Sequence, residues 1–173
     1  MVSTTSGWED TRPVKLWFED EGRFGRMNNL SYCWVPGNER AEIEKQLIRE
    51  YTYAYTAVCP QTGEVYSILS PFNNTFAMNA FLQELSHQYK NHRIILTLDG
   101  AGWHRSKHLL LPENIRLLFL PPYSPQLNPV EHIWDYMREQ KHFNNYSFNS
   151  IKDVEYHLEE MLLQLTNEKQ TIK

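Results

Sequence analysis

Residues 94–99 read Ile-Ile-Leu-Thr-Leu-Asp, a nearly unbroken apolar run that ends on a carboxylate. A strand with one face in water alternates, so this run demands cover on both faces, and the rest of the chain must supply it. After Pro71, Met78, Phe81, Leu82, Leu85 and Tyr89 recur at helical spacing behind an Asn74-Thr75 placed to cap the start. A helix starting at Pro129 carries Val130, Ile133, Trp134 and Met137 as its apolar stripe. A last helix over about residues 150–165 repeats Ile151, Val154, Leu158, Met161 and Leu165 in steps of three and four. Its main use is packing on the sheet. Residues 115–120, stopped by Pro121-Pro122, form a second buried strand.

Upstream the period is two. Residues 14–20 place Val14, Leu16 and Phe18 on one face, and Asp20 closes that strand. Residues 31–35 form a second strand and the Tyr/Thr-rich residues 51–58 a third, joined through Pro60-Gln61-Thr62-Gly63 to residues 65–69. The charged stretch 37–49 between them reads as an exposed loop or a short helical excursion. A meander followed by alternating strand and helix predicts an α/β fold, a mixed sheet flanked by helices. Residues 1–13 lack periodicity and read as a flexible lead-in or linker remnant, leaving residues 14–173 as the folded unit. At 173 residues and 41% hydrophobic composition the chain supports one core.

The net charge of −4 rules out a globally basic surface, so affinity for nucleic acid must come largely from elsewhere. Cys33 and Cys59 are far apart and lack metal-ligand spacing, which fits a reduced, cytosolic setting. The polar start has neither the cationic nor the apolar part of a signal peptide, and no run is long enough to span a membrane.

Three segments present a carboxylate at the edge of an element: Phe18-Glu19-Asp20-Glu21, Leu98-Asp99-Gly100-Ala101-Gly102-Trp103-His104, and the proline-rich stretch from Pro121 to Glu131. If the strands before Asp20 and Asp99 run parallel and adjacent, both carboxylates emerge at one sheet edge, where they repel unless a cation binds between them. Hard oxygen ligands select magnesium or manganese, and a two-metal site performs phosphoryl transfer. Glu131 is the third carboxylate. It competes with a plainer role, because Asn128 is a good N-cap, Pro129 fits the first helical position and Glu131 stands where a capping-box partner would. Asp135, one turn on, is the substitute ligand. His104 can contact phosphate or assist proton movement, or be structural, and we place it behind the carboxylates. Trp103 and Trp134 read as core aromatics before base-stacking platforms. Arg23, Arg26, Arg105, Lys107, Arg138 and Lys141 form either a basic rim or scattered surface charge.

Taken together, these segments resemble the mariner superfamily of DDE transposases, in its bacterial insertion-sequence branch, over roughly residues 14–148. The most specific stretch is Leu120-Pro121-Pro122-Tyr123-Ser124-Pro125-Gln126-Leu127-Asn128-Pro129-Val130-Glu131-His132-Ile133-Trp134. The resemblance implies a ribonuclease-H-like (retroviral-integrase-like) fold, a five-stranded mixed sheet flanked by helices with a three-strand meander and two parallel strands. It implies that Asp20, Asp99 and Glu131 are catalytic and hold two Mg²⁺ or Mn²⁺ ions. The chemistry implied is hydrolytic nicking at transposon ends, then attack of the freed 3'-hydroxyl on target DNA, by a homodimer on DNA in the bacterial cytosol. Gly100 departs from the Asn that many relatives carry there. The relatives' N-terminal helix-turn-helix domains have no counterpart before Val14, so the expected partner is such a domain, supplied by a fusion or an upstream reading frame. The rival readings are another ribonuclease-H-like nuclease and an inactive remnant serving as a binding module.

Overall fold

The described residues form five strands and three α-helices: β1 (Val14–Met27), β2 (Leu47–Cys59), β3 (Glu64–Ser70), α1 (Thr75–Gln88), β4 (Arg93–Leu98), β5 (Ile115–Phe119), α2 (Pro129–Asp135) and α3 (Ile151–Asn167). The computed structural model describes residues 8–28, 32, 35–37, 42–141 and 143–169. The strands form one sheet in the order β3-β2-β1-β4-β5. β1 pairs antiparallel with β2, and β2 with β3, whereas β4 runs parallel to both β1 and β5.

The central strands are buried on both faces, as the apolar run at residues 94–98 requires. On one face Trp17, Tyr55, Ile94, Leu96 and Leu98 meet Met78, Phe81, Leu82 and Leu85 of α1. On the other, Phe24, Ala54 and Val58 meet Val130, Ile133 and Trp134 of α2 and Val154, Leu158, Met161 and Leu165 of α3. Full burial of one such side chain contributes about 1.5–3 kcal/mol, more than a typical surface ion pair, so these two layers hold the sheet. The helix starts are set by side chains: Asn74 accepts from the Ala77 N–H, Asn128 from the Val130 N–H, and Ser150 and Asp153 form a reciprocal capping box. Past Asp135 the α2 backbone widens into a π-helical turn, Tyr136–Gln140.

Several expectations change. Asp20 does not close β1, which runs on to Met27. Gly22 and Gly25 interrupt the visible alternation, but the ladder to β2 continues through Gly22↔Ala54 and Gly25↔Tyr51. Val14 and Leu16 are partly exposed, and the deepest anchor of β1 is Trp17 on the opposite face. β5 is an edge strand, so Leu118 and Phe119 are exposed instead of buried. β2 starts at Leu47, inside the stretch expected as loop or helix. Residues 31, 33 and 34 of the strand expected over 31–35 lie outside the described residues. Of the lead-in, Trp8 packs under the guanidinium groups of Arg93 and Arg116 and donates to the Glu113 carbonyl, and the Pro13 carbonyl accepts from the Arg93 N–H. Among the described residues no helix is long and apolar enough to cross a membrane.

Candidate active site

The β1–β4 register is the starting point. Its last pair is Phe18↔Thr97, and extending the parallel ladder by two residues sets Asp20 beside Asp99. The β5–α2 connection then folds back over this edge. Asp20, Asp99 and Glu131 line one open cavity of about 610 Å³ with Arg105, Asn128 and the turn from Leu120 to Pro125. Within that turn Tyr123 is fully exposed and holds φ at 58°, a left-handed conformation uncommon outside glycine. The structure thus brings together the three sequence-predicted carboxylates. Asp135 is exposed and is not among the lining residues.

Each carboxylate is held by neighbours. The Trp134 Nε1–H donates to Asp20 Oδ2 at 2.8 Å, from an indole buried against Phe24. Gly22 makes room for that indole, because a Cβ there would lie 2.7 Å from the Phe24 ring and 3.0 Å from Trp134. Asn128 caps α2 and also donates through Nδ2 to the Glu19 carbonyl at 2.8 Å, which ties the helix start carrying Glu131 to β1. α2 shows the Asn128 cap without the reciprocal bond that α3 has, so Glu131 is not spent as a capping-box partner. Asp99 Oδ1 accepts from the Ala101 N–H and from His104 Nδ1, both at 2.9 Å. The Asp99 carbonyl also lies 3.2 Å from that nitrogen. Both partners are acceptors, so the Nδ1 proton is on His104.

Electrostatically the cavity is acidic. Burial pushes the Asp20 pKa up to about 6, the Trp134 bond opposes this, and the charges of Glu131 and Glu21 add to it. A cation among these oxygens would relieve that repulsion, and carboxylates are the donors hard divalent ions prefer. The three groups therefore fit a magnesium- or manganese-type site. Among the described lining residues Arg105 alone is cationic, with its guanidinium over the Phe119 ring. Four of the other basic residues expected as a rim are engaged elsewhere: Arg26 with Glu50, Lys141 with Glu168, Arg23 over Tyr51 and Arg138 over Phe24. Lys107 is exposed and is not among the lining residues.

On the opposite face of β1 sits a second acidic group that the sequence reading passed over. Side chains alternate along a strand, so Glu19 and Glu21 point away from Asp20. They meet the loop after β4: the Trp103 Nε1–H donates to Glu21 Oε1 at 2.6 Å, and His104 Nε2 lies 3.1 Å from the same oxygen. Burial drives the Glu19 pKa well above the ordinary range, and the charges of Glu21, Asp20 and Asp99 push the same way. For His104 burial lowers the pKa, but Glu21 and Asp99 more than offset it and hold it above its ordinary value. A readable trace existed in the sequence: two acids at odd positions continue the face that Trp17 buries. The indole bond to Asp20 had none, since it depends on how closely α2 approaches β1.

The chain matches the family described as DDE superfamily endonuclease over residues 15–155. It is 39% identical over 108 residues, 62% of this chain and 79% of the relative, to the uncharacterized protein y4pE/y4sA of Sinorhizobium fredii. In fold it resembles the Mos1 mariner paired-end complex with Mn, at a TM-score of 0.62 and 19% identity, over 90% of this chain and 54% of that one. It also resembles a chain of the simian T-cell lymphotropic virus intasome, at a TM-score of 0.57 and 13% identity, over 90% of this chain and 48% of that one. The chain thus spans about half the length of these solved neighbours. The mixed five-strand sheet with flanking helices is the ribonuclease-H-like arrangement of transposase and integrase catalytic cores, and the chain belongs to the DDE superfamily endonuclease family.

Proposed function

We propose that this chain is the catalytic domain of a mariner-type DNA transposase that cleaves phosphodiesters at transposon ends and joins the freed 3'-hydroxyl to target DNA. The observation that carries the reading is the convergence of Asp20, Asp99 and Glu131, from three separate segments, on one cavity at the edge of the sheet. In the proposal these three hold two Mg²⁺ or Mn²⁺ ions. Such ions supply activation of the attacking oxygen and stabilisation of the leaving one. The Mos1 mariner paired-end complex with Mn supports a divalent ion on this fold.

The protein's own part is positioning. Trp134 fixes Asp20 by one oxygen, and the carboxylate lines the cavity. His104 and the Ala101 N–H do the same for Asp99. Asn128 locks the start of α2 so that Glu131 faces both. Arg105 at the mouth suits a backbone phosphate. Asp135, exposed and away from the lining, is left out of the ligand set. The net charge of −4 supports assigning recognition of transposon ends to a helix-turn-helix partner or fusion. The proposal places the enzyme in the bacterial cytosol as a homodimer on DNA.

The test is nicking of supercoiled DNA with Mg²⁺, comparing the wild type with Asp99→Asn and Glu131→Gln. Loss of nicking in both variants is expected, and equal cleavage by all three removes the assignment. Joining of a pre-cleaved end with a free 3'-hydroxyl separates a transposase from a hydrolytic nuclease of the same fold. Hydrolysis without joining would favour the nuclease.

A further inference from the structure

We propose that Glu19, Glu21 and His104 form a distinct divalent-cation site on the α1 face of β1, suited to a first-row transition ion such as Mn²⁺, Co²⁺ or Zn²⁺. One ligand atom from each lies within 4.8 Å of the others. The cavity carboxylates are not drawn together in this way. The site therefore does not depend on the catalytic reading, and only its link to Asp99 rests on it.

Glu19 is the independent evidence. Its side chain is fully buried, and neither carboxylate oxygen has a hydrogen-bond partner among the described residues. Buried polar groups are almost always satisfied, and a buried carboxylate without a donor is costly. The nearest positive-capable atom is His104 Nε2, 3.7 Å from Oε2, too far for a hydrogen bond. Something must sit between these groups.

The histidine narrows what that is. Its Nδ1 proton is committed to Asp99, so Nε2 is the ring atom turned toward Glu21 and Glu19. A cation there would take the place of the proton that Nε2 otherwise shares with Glu21, leaving three donor atoms to face one ion. At metal–ligand distances near 2.1 Å, neighbouring ligand atoms of an octahedral or tetrahedral site are about 3.0–3.4 Å apart. The 3.1 and 3.7 Å separations from Nε2 to Glu21 and Glu19 need only small adjustments to meet this. The surroundings also match a ligand shell, since a metal-bound histidine usually passes its other N–H to a carboxylate, and ligating carboxylates are themselves hydrogen-bonded. Here Asp99 accepts from His104, and Trp103 donates to Glu21. An imidazole among the ligands favours a transition ion over Mg²⁺. An ion at this place would fix His104, and through it Asp99.

The test uses the full chain carrying Glu131→Gln, stripped with chelator and reloaded with Co²⁺ in the presence of excess Mg²⁺. Cobalt is read by metal analysis after gel filtration and by its absorption spectrum. Retention of one Co²⁺ per chain is expected, with affinity reduced about tenfold or more when Glu19→Gln or Glu21→Gln is added. Glu19→Gln keeps the shape and removes a buried charge, so the fold should persist. Anomalous diffraction at the cobalt edge on the chain carrying only Glu131→Gln gives an answer free of further variants, with a peak expected among the three side chains. No retained Co²⁺, retention indifferent to both additional variants, or a peak confined to the Asp20–Asp99 cavity would overturn the proposal. In that event a proton shared by Glu19, Glu21 and His104 fills the place of the ion.

Discussion

Asp20→Asn should stabilise the metal-free chain at neutral pH while abolishing the proposed activity. Burial raises the Asp20 pKa from an ordinary 3.8 to about 6, against the Trp134 bond and with the help of Glu131 and Glu21. At about 1.4 kcal/mol per pH unit, that gap makes the ionised carboxylate cost the fold up to about 3 kcal/mol. The sign follows from proton counting. Between the two values the folded chain keeps a proton that the unfolded chain has released, so wild-type stability falls as pH rises through that window and stays low above it. Asn has no such dependence. Its hydrogen bond from Trp134 is weaker than the one to a carboxylate, which reduces the net gain to about 1–2 kcal/mol. For a chain of this size that is a rise of about 2–8 °C in Tm. Thermal and urea unfolding in chelator at about pH 4 and about pH 7.5 measure it. The advantage of the variant should be small at the lower pH and full at the higher one. A variant less stable than wild type at neutral pH, or an offset equal at both, would refute the reasoning.

The remaining predictions concern the groups around the carboxylates. Trp134→Phe keeps most of the core packing but removes the donor to Asp20. We expect a loss of about 10–100-fold in Mg²⁺-dependent nicking with a smaller change in unfolding midpoint, and unchanged nicking would count against a positioning role. Asn128→Ala deletes a helix cap and leaves the buried Glu19 carbonyl without its donor. Urea unfolding should show a loss of about 2–3 kcal/mol. Gly22→Ala brings a methyl group against Phe24 and Trp134, for an expected cost of about 1–3 kcal/mol by the same assay, and a neutral result would mean that the indole can retreat.

Much of this architecture was written in periodicity. Residues 94–98 needed cover on two faces, and α1 and α3 had apolar stripes to provide it, so their extents and buried residues follow the pattern closely. Strand limits were harder, because backbone pairing is blind to side-chain pattern. β1 passes through Gly22 and Gly25 on the strength of its ladder to β2, and the charged start of β2 gave no period-two signal. The exposure of β5 is a matter of position in the sheet, which the residues of one strand cannot report.

The site shows the same division. Asp99 and Glu131 stand in distinctive segments, and Asp20 reads as a strand-end carboxylate although it lies within β1. What escaped was contact across elements. Trp134 looked like core, and it is buried, yet its N–H serves Asp20. Glu19 and Glu21 carry no role in the sequence pattern beside Asp20, and only the alternation of β1 against the loop carrying Trp103 and His104 turns them into a buried cluster.

The central claim, that Asp20, Asp99 and Glu131 jointly hold divalent ions, is tested most directly by anomalous diffraction from crystals of the wild-type chain soaked in Mn²⁺. Manganese peaks bridging the carboxylates of Asp20, Asp99 and Glu131 are the predicted result. Diffraction of the same quality with no manganese at those three side chains would contradict it.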